Sequence, residues 1–154
     1  MCLEFFKIIG IVILIAIFLF VLNYFKYFIL NQKTLCKGNF TATVKRIIDG
    51  DTIELQECNA HIRLSLVNTP EYYQTGYKEA TDFTAKLCKI GSKVVVIQDR
   101  QQPYDKYQRI VALVYCQNKN LNAELLNSNL ASVMTGFCST SEFAHDDWAA
   151  KDCK

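Results

Sequence analysis

At 154 residues the chain can form one domain with a real core, and its formal net charge of +2 excludes a global basic field as the means of holding polyanions. From residue 31 onward acidic and basic side chains nearly balance, so any phosphate binding must come from a local basic site. Internal repeats and low-complexity stretches are absent, which sets aside solenoids and disordered tracts.

The chain opens on an apolar run, IIGIVILIAIFLFVL at 8–22, which extends to 30 with only Asn23 and Lys26 strongly polar. A spanning helix needs about 20 apolar residues, so 8–30 suffices to cross a membrane. Tyr24 and Tyr27 suit the interfacial aromatic belt, and Lys26 can snorkel. Bulky residues follow the run where a cleaved signal peptide needs a small-x-small site, and no polar face exists for a soluble helix. Residues 1–30 are therefore read as an uncleaved anchor, and 31–39 as a polar linker.

Two signals disagree on which side the domain lies. Lys26, Lys33 and Lys37 after the run outweigh Lys7, which alone would leave the domain in the cytoplasm. Six of seven cysteines, however, fall beyond the run: Cys36, Cys58, Cys88, Cys116, Cys138 and Cys153. An even, dense set in a small domain points to disulfides in an oxidising compartment. No CxxC pair or Cys/His spacing indicates zinc. The cysteines carry the decision, and the domain is expected outside the cytoplasm, with Cys2 alone on the other side.

In the domain, 40–154, strands are expected at 40–48, 51–57 and 61–67. The Asp49-Gly50 turn joins the first two, its glycine expected to take a positive φ. Ile62, Leu64 and Leu66 alternate with His61, Arg63 and Ser65, which aims Arg63 away from the leucines. A helix follows at 77–87, with Ala80, Phe83 and Leu87 on one stripe, then strands at 93–98 and 110–115 and a helix from 121. In the tail, Ser139 with Glu142 forms a candidate capping box, and Ala144 and Trp148 share a face. Cys138 and Cys153 bracket this third helix and are expected to pair; the other four cysteines of the domain allow three pairings. Five short strands with interspersed helices are compatible with a small barrel.

Three polar clusters stand on these strands: Asp49-Gly50-Asp51-Thr52, Arg63, and Asn68-Thr69-Pro70-Glu71. Carboxylate and backbone oxygens at strand ends suit a hard cation, and an arginine beside them suits an anionic substrate. Each element alone has a plainer explanation: Asp-Gly-Asp as a solvated turn, Glu71 as a surface residue, an arginine as a surface ion pair.

The blocks IDGDT, IRLSLVNTPE and, further on, DKYQR at 105–109 resemble the staphylococcal nuclease (thermonuclease) family, in its order and over roughly 40–133. The resemblance implies an α+β, mainly β fold: a five-stranded OB-fold barrel with about three packed helices, after the transmembrane segment. It implies a calcium-dependent phosphodiesterase of DNA or RNA, with Ca²⁺ at Asp51, Asn68 and the carbonyl of Thr69, and Asp49 next to the ion. Glu71 matches the general base, Arg63 and Arg109 the arginines gripping the scissile phosphate, and Lys106 and Tyr107 residues flanking the bound nucleotide. This sequence has asparagine at 68 where many relatives have aspartate, which removes one charge from the metal site. A later pocket tyrosine of the family is replaced near Thr135. His61 and His145 are read as surface residues, and no protein partner is indicated. The alternative is a catalytically weakened OB module binding single-stranded nucleic acid or a protein.

Overall fold

The computed structural model describes residues 2–154, with side chains described at 9–29 and 36–154. It divides into two units, Met1–Leu35 and Cys36–Lys154. The first is a single helix, α1 (Cys2–Leu35). Within it Ile9–Ile29 is 21 residues long with a mean hydropathy of 2.4, long and apolar enough to cross a membrane. Over 9–29 its isoleucines, leucines and phenylalanines are exposed.

The second unit is a closed barrel. Its strands are β1 (Asn39–Ile47), β2 (Thr52–Leu55), β3 (His61–Leu64), β5 (Lys93–Gln98) and β6 (Ile110–Cys116), hydrogen-bonded in the order β3-β2-β1-β5-β6. A parallel pairing of β3 with β6, Ile62 opposite Ile110 and Leu64 opposite Ala112, closes the ring and leaves it no free edge. Inside lie Val44, Ile53, Leu55, Ile62, Leu64, Val94, Val96, Ala112 and Val114, supplied by the period-2 alternation of each strand. Helix α3 (Leu121–Asn127) adds Leu121 and Leu125 to this core. Its Asn122, fully buried, donates to the carbonyls of Ser65 and Ala112 and accepts from Val114 N, so every polar atom of that side chain is used.

Helix α2 (Tyr77–Leu87) has the expected bounds. The third strand does not run to 67. Leu66 adopts φ +60, which breaks the ladder, and β4 (Val67–Asn68) turns away to pair with β8 (Ser132–Val133). Leu66 accepts this left-handed conformation because its side chain is buried with Leu113, Phe143, Ala144 and Ala149 in a second cluster. Strand β7 (Lys119–Asn120) extends the sheet beyond β6 and leads into α3.

Two further expectations fail on physical grounds. Gly50 is not among the glycines of positive φ. A Cβ there would lie 2.8 Å from Ala80 Cβ and 2.8 Å from both Thr69 Cγ2 and Thr69 Oγ1, so glycine is required by close approach, not by dihedral. The tail forms two 3₁₀ turns, Thr135–Thr140 and Glu142–His145, rather than an α-helix capped by Ser139. Ser141 is the cap, accepting from Phe143 N, while Glu142 turns to Arg100 N and Nε. The buried carboxylate of Asp99 explains this: it accepts from Ser65 Oγ, Ser141 Oγ and the amides of Gln101, Gln102 and Glu142, drawing the tail onto the barrel.

Three disulfides complete the domain: Cys36–Cys58, Cys88–Cys116 and the expected Cys138–Cys153. They close loops of 22, 28 and 15 residues. Loops of this length restrict the unfolded chain by about 3 kcal/mol each in the chain-entropy account.

Candidate active site

The β2–β3 register sets Thr52 opposite Arg63, and the β3–β6 register sets Arg63 opposite Val111, two residues past Arg109. Residues far apart in sequence thus meet at one end of these strands. Asp51, 6% exposed, is the hub. Its Oδ2 accepts from Thr69 N at 2.8 Å and Thr69 Oγ1 at 3.0 Å, and lies 3.2 Å from Arg63 Nη2. Its Oδ1 accepts from Thr52 Oγ1 at 3.1 Å. Asp49 Oδ1 accepts from Asp51 N at 3.1 Å. Burial, and then the charge of Asp51, raise the Asp49 carboxyl above its ordinary range.

Arg63 is largely buried. Its Nη1 donates to the carbonyls of Leu64 at 3.0 Å and Val67 at 2.5 Å, while Nη2 also faces Asn68 Oδ1 at 3.4 Å and Met134 Sδ at 3.4 Å. Burial lowers its pKa, the charge of Asp51 works the other way, and the charge of Arg109 lowers it further. Nε is the guanidinium donor without a partner among the described residues.

Arg109 is held differently. Asp105 Oδ1 accepts from Tyr107 N and Arg109 N, both at 2.9 Å, and its Oδ2 takes Arg109 Nε at 2.6 Å. Burial disfavours the Asp105 anion, but these donors outweigh it and hold the carboxyl below its usual range. The turn is completed by Gln108 at φ +63. Arg109 Nη1 makes one long contact, 3.5 Å to Thr52 Oγ1, and Nη2 has no partner among the described residues. The Arg109 guanidinium and Lys106 Nζ lie 5.3 Å and 4.9 Å from the ring centre of Tyr107, itself exposed.

Asn68 and Glu71 are exposed, and Thr69 is buried. Glu71 N donates to Gln74 Oε1, and the Glu71 carboxylate makes no hydrogen bond or ion pair among the described residues. The geometry therefore gathers Asp51, Arg63, Thr69 and Arg109, with Asn68 at the margin. Glu71, two residues after Thr69, makes no hydrogen bond or ion pair with the group, and Lys106 and Tyr107 stand next to Arg109. Cys138 and Cys153 lie elsewhere, in their disulfide, and His61 and His145 are exposed.

Four residues to which sequence reasoning gave no role contribute. Asp105 aims Arg109, Thr52 bridges Asp51 to Arg109, Met134 touches Arg63, and Asp99 anchors the loop that leads to 105. Thr52 and Asp105 lie inside the IDGDT and DKYQR blocks, whereas Met134 and Asp99 left no signal.

Among the described residues no three of His, Cys, Asp or Glu converge. The oxygens on offer are the Asp51 carboxylate, the Asn68 amide, the Thr69 carbonyl and neighbouring Asp49. Such a set fits a hard, oxygen-seeking cation and not zinc, with charge supplied by aspartate alone.

Fold and site together define an OB-fold barrel that gathers two arginines and an oxygen-rich acidic cluster at one end of its strands. The profile described as staphylococcal nuclease homologue matches residues 61–152. An Escherichia coli protein named "Uncharacterized endonuclease" is 32% identical over 109 residues, 69% of this chain and 68% of its own. The thermonuclease of Staphylococcus intermedius is 33% identical over 96 residues, 57% of this chain and 56% of its own. Endonuclease YncB of Bacillus subtilis is 33% identical over 110 residues, 67% of this chain and 50% of its own. The chain belongs to the staphylococcal nuclease homologue family.

Proposed function

We propose that this protein is a membrane-anchored, calcium-dependent nuclease that hydrolyses phosphodiester bonds of DNA or RNA, its domain on the extracytoplasmic side. The meeting of Asp51, Arg63 and Arg109 through the β2–β3–β6 register carries the reading. A scissile phosphate needs positive charge on its equatorial oxygens and a water aimed at phosphorus. Arg109, pinned at Nε and open at its outer nitrogens, is suited to hold one such oxygen. Arg63 adds a second buried positive charge and keeps Asp51 and Asn68 in position. Asp51, Asn68 and the Thr69 carbonyl would hold Ca²⁺, which when bound supplies charge neutralisation at the phosphate. The unpaired carboxylate of Glu71 takes the proton of the attacking water. Tyr107 and Lys106 flank the nucleotide. The apolar helix supports anchoring, and three disulfides support an oxidising compartment.

The test is digestion of single-stranded DNA and RNA by the full chain in detergent, with calcium or with chelator. Calcium-dependent cleavage is expected, with Arg109→Ala and Glu71→Ala at least about 100-fold slower. Unchanged turnover in either variant would refute the assignment. The neutral amide at Asn68 favours a second reading, a module that binds strands but cuts weakly; strand binding without cleavage is its signature.

A further inference from the structure

Immediately after Glu71 stand two tyrosines, Tyr72 and Tyr73, which are 81% and 84% exposed. Aromatic rings left this open at the edge of a polar site call for a partner surface. Asn68, Thr69 and Gln74, on either side of the tyrosines in the chain, wall a groove of about 390 Å³ together with Asn129. No acidic or basic residue lines that groove. A phosphate backbone meets no repulsion there, and the amides of Gln74 and Asn129 offer neutral polar contacts.

Tyr72 is pre-set. Its ring packs edge-to-face on Tyr77, the first residue of α2, with centroids 5.4 Å apart and planes at 80°. One face of the ring is thereby aimed without the entropy loss of ordering a free side chain. Tyr72 and Tyr73 directly follow Glu71, so their backbone lies within about 7 Å of its own. Tyr107 is also exposed, next to Lys106 and Arg109. Exposed aromatic rings thus follow Glu71 in the chain and adjoin Arg109 in space.

From this we infer that Tyr72 and Tyr73 form a base-stacking subsite, holding the nucleotide next to the scissile phosphate of a single-stranded nucleic acid. The inference rests on the nuclease reading for where the phosphate lies. Stacking accepts any base because every base has a π-face, and it requires bases free of a duplex. The site therefore selects unpaired strands without selecting sequence. A duplex keeps its bases stacked on each other and leaves both rings unused.

Two measurements on the full chain in detergent separate this from the activity itself. First, binding of a fluorescent 12-nucleotide single strand is followed by anisotropy, with the double substitution Tyr72→Ala/Tyr73→Ala and the rescue Tyr72→Trp/Tyr73→Trp. A roughly 10-fold or greater loss is expected for alanine, with recovery for tryptophan and no change for a 12-base-pair duplex. Second, KM and kcat are compared for the 12-mer and for a 12-mer of abasic (tetrahydrofuran) units, which keeps the phosphates and has no base to stack. KM for the 12-mer should rise about 10-fold in the alanine variant while cleavage of the abasic strand stays within about twofold. Unchanged strand binding in the alanine variant would overturn the subsite, and would point to these rings as a protein-docking patch. Equal losses for strand and duplex, or for the 12-mer and its abasic counterpart, would overturn it too. Tyrosine-dependent binding without cleavage by the unmodified chain would sink the nuclease reading and leave the subsite standing.

Discussion

Replacing Gly50 by alanine asks whether close approach, rather than turn geometry, demands glycine beside the site. The new methyl would sit 2.8 Å from Ala80 Cβ, Thr69 Cγ2 and Thr69 Oγ1. None of these can yield easily. Ala80 is buried on α2, and α2 is itself tied to this turn by Thr84 Oγ1, which donates to Gly50 O at 2.6 Å. Thr69 is fastened by its amide and hydroxyl to Asp51. Overpacking costs about 1–3 kcal/mol, and with three blocked directions the upper half of that range applies. For a domain of this size that is a fall in Tm of about 8–12 °C by calorimetry or circular dichroism. The relief has to come from moving Thr69, so turnover should fall about 10-fold or more as well. Gly38→Ala is the control: its Cβ meets nothing within 4 Å, but φ is +70, so the cost is about 1 kcal/mol of backbone strain with activity kept. A Gly50→Ala protein that melts within about 2 °C of the unmodified chain and cuts normally would refute the reasoning.

Three other perturbations read the site and its support. Asp105→Asn removes the charge that holds Arg109 Nε at 2.6 Å, and kcat should drop about 10-fold with the far-ultraviolet spectrum unchanged; an unaltered kcat would separate Asp105 from the arginine's role. Asn68→Asp adds a charged oxygen to the proposed metal set, and calcium affinity, read from calcium-dependent shifts in Tm, should rise about 10-fold. Affinity that stays level would remove residue 68 from the ligands. Glu57 is held down to about 2: burial opposes its ionisation, but Thr43 N, Thr43 Oγ1 and Lys93 Nζ overcome it. Its folded value lies below its unfolded one, so its contribution is complete above about 4.5 and is lost as pH falls toward 2. Between pH 5 and 3 the Tm of the unmodified chain should fall more steeply than that of Glu57→Gln; parallel curves would show that the pairing stabilises nothing.

What the sequence by itself determined is local. Period-2 alternation placed the barrel strands, and the 3.6-residue stripe placed α2 at Tyr77–Leu87. The apolar run marked the membrane-length helix, and the bracketing of the tail marked the Cys138–Cys153 pair. The three motif blocks picked out the residues of the candidate site because their types and order can be read without knowing where they meet. Tertiary structure decided the rest. Leu66 leaves the strand because a second cluster buries it at φ +60, a gain its own segment cannot show. The tail abandons a helix because Asp99, some 40 residues earlier, collects its serine and amides. Gly50 serves a contact with Ala80 and Thr69, which no turn rule contains. Most of all, Asp51, Arg63 and Arg109 form one group only because β3 pairs with both β2 and β6, and long-range register is set by the packing of the whole barrel, not by any stretch of chain.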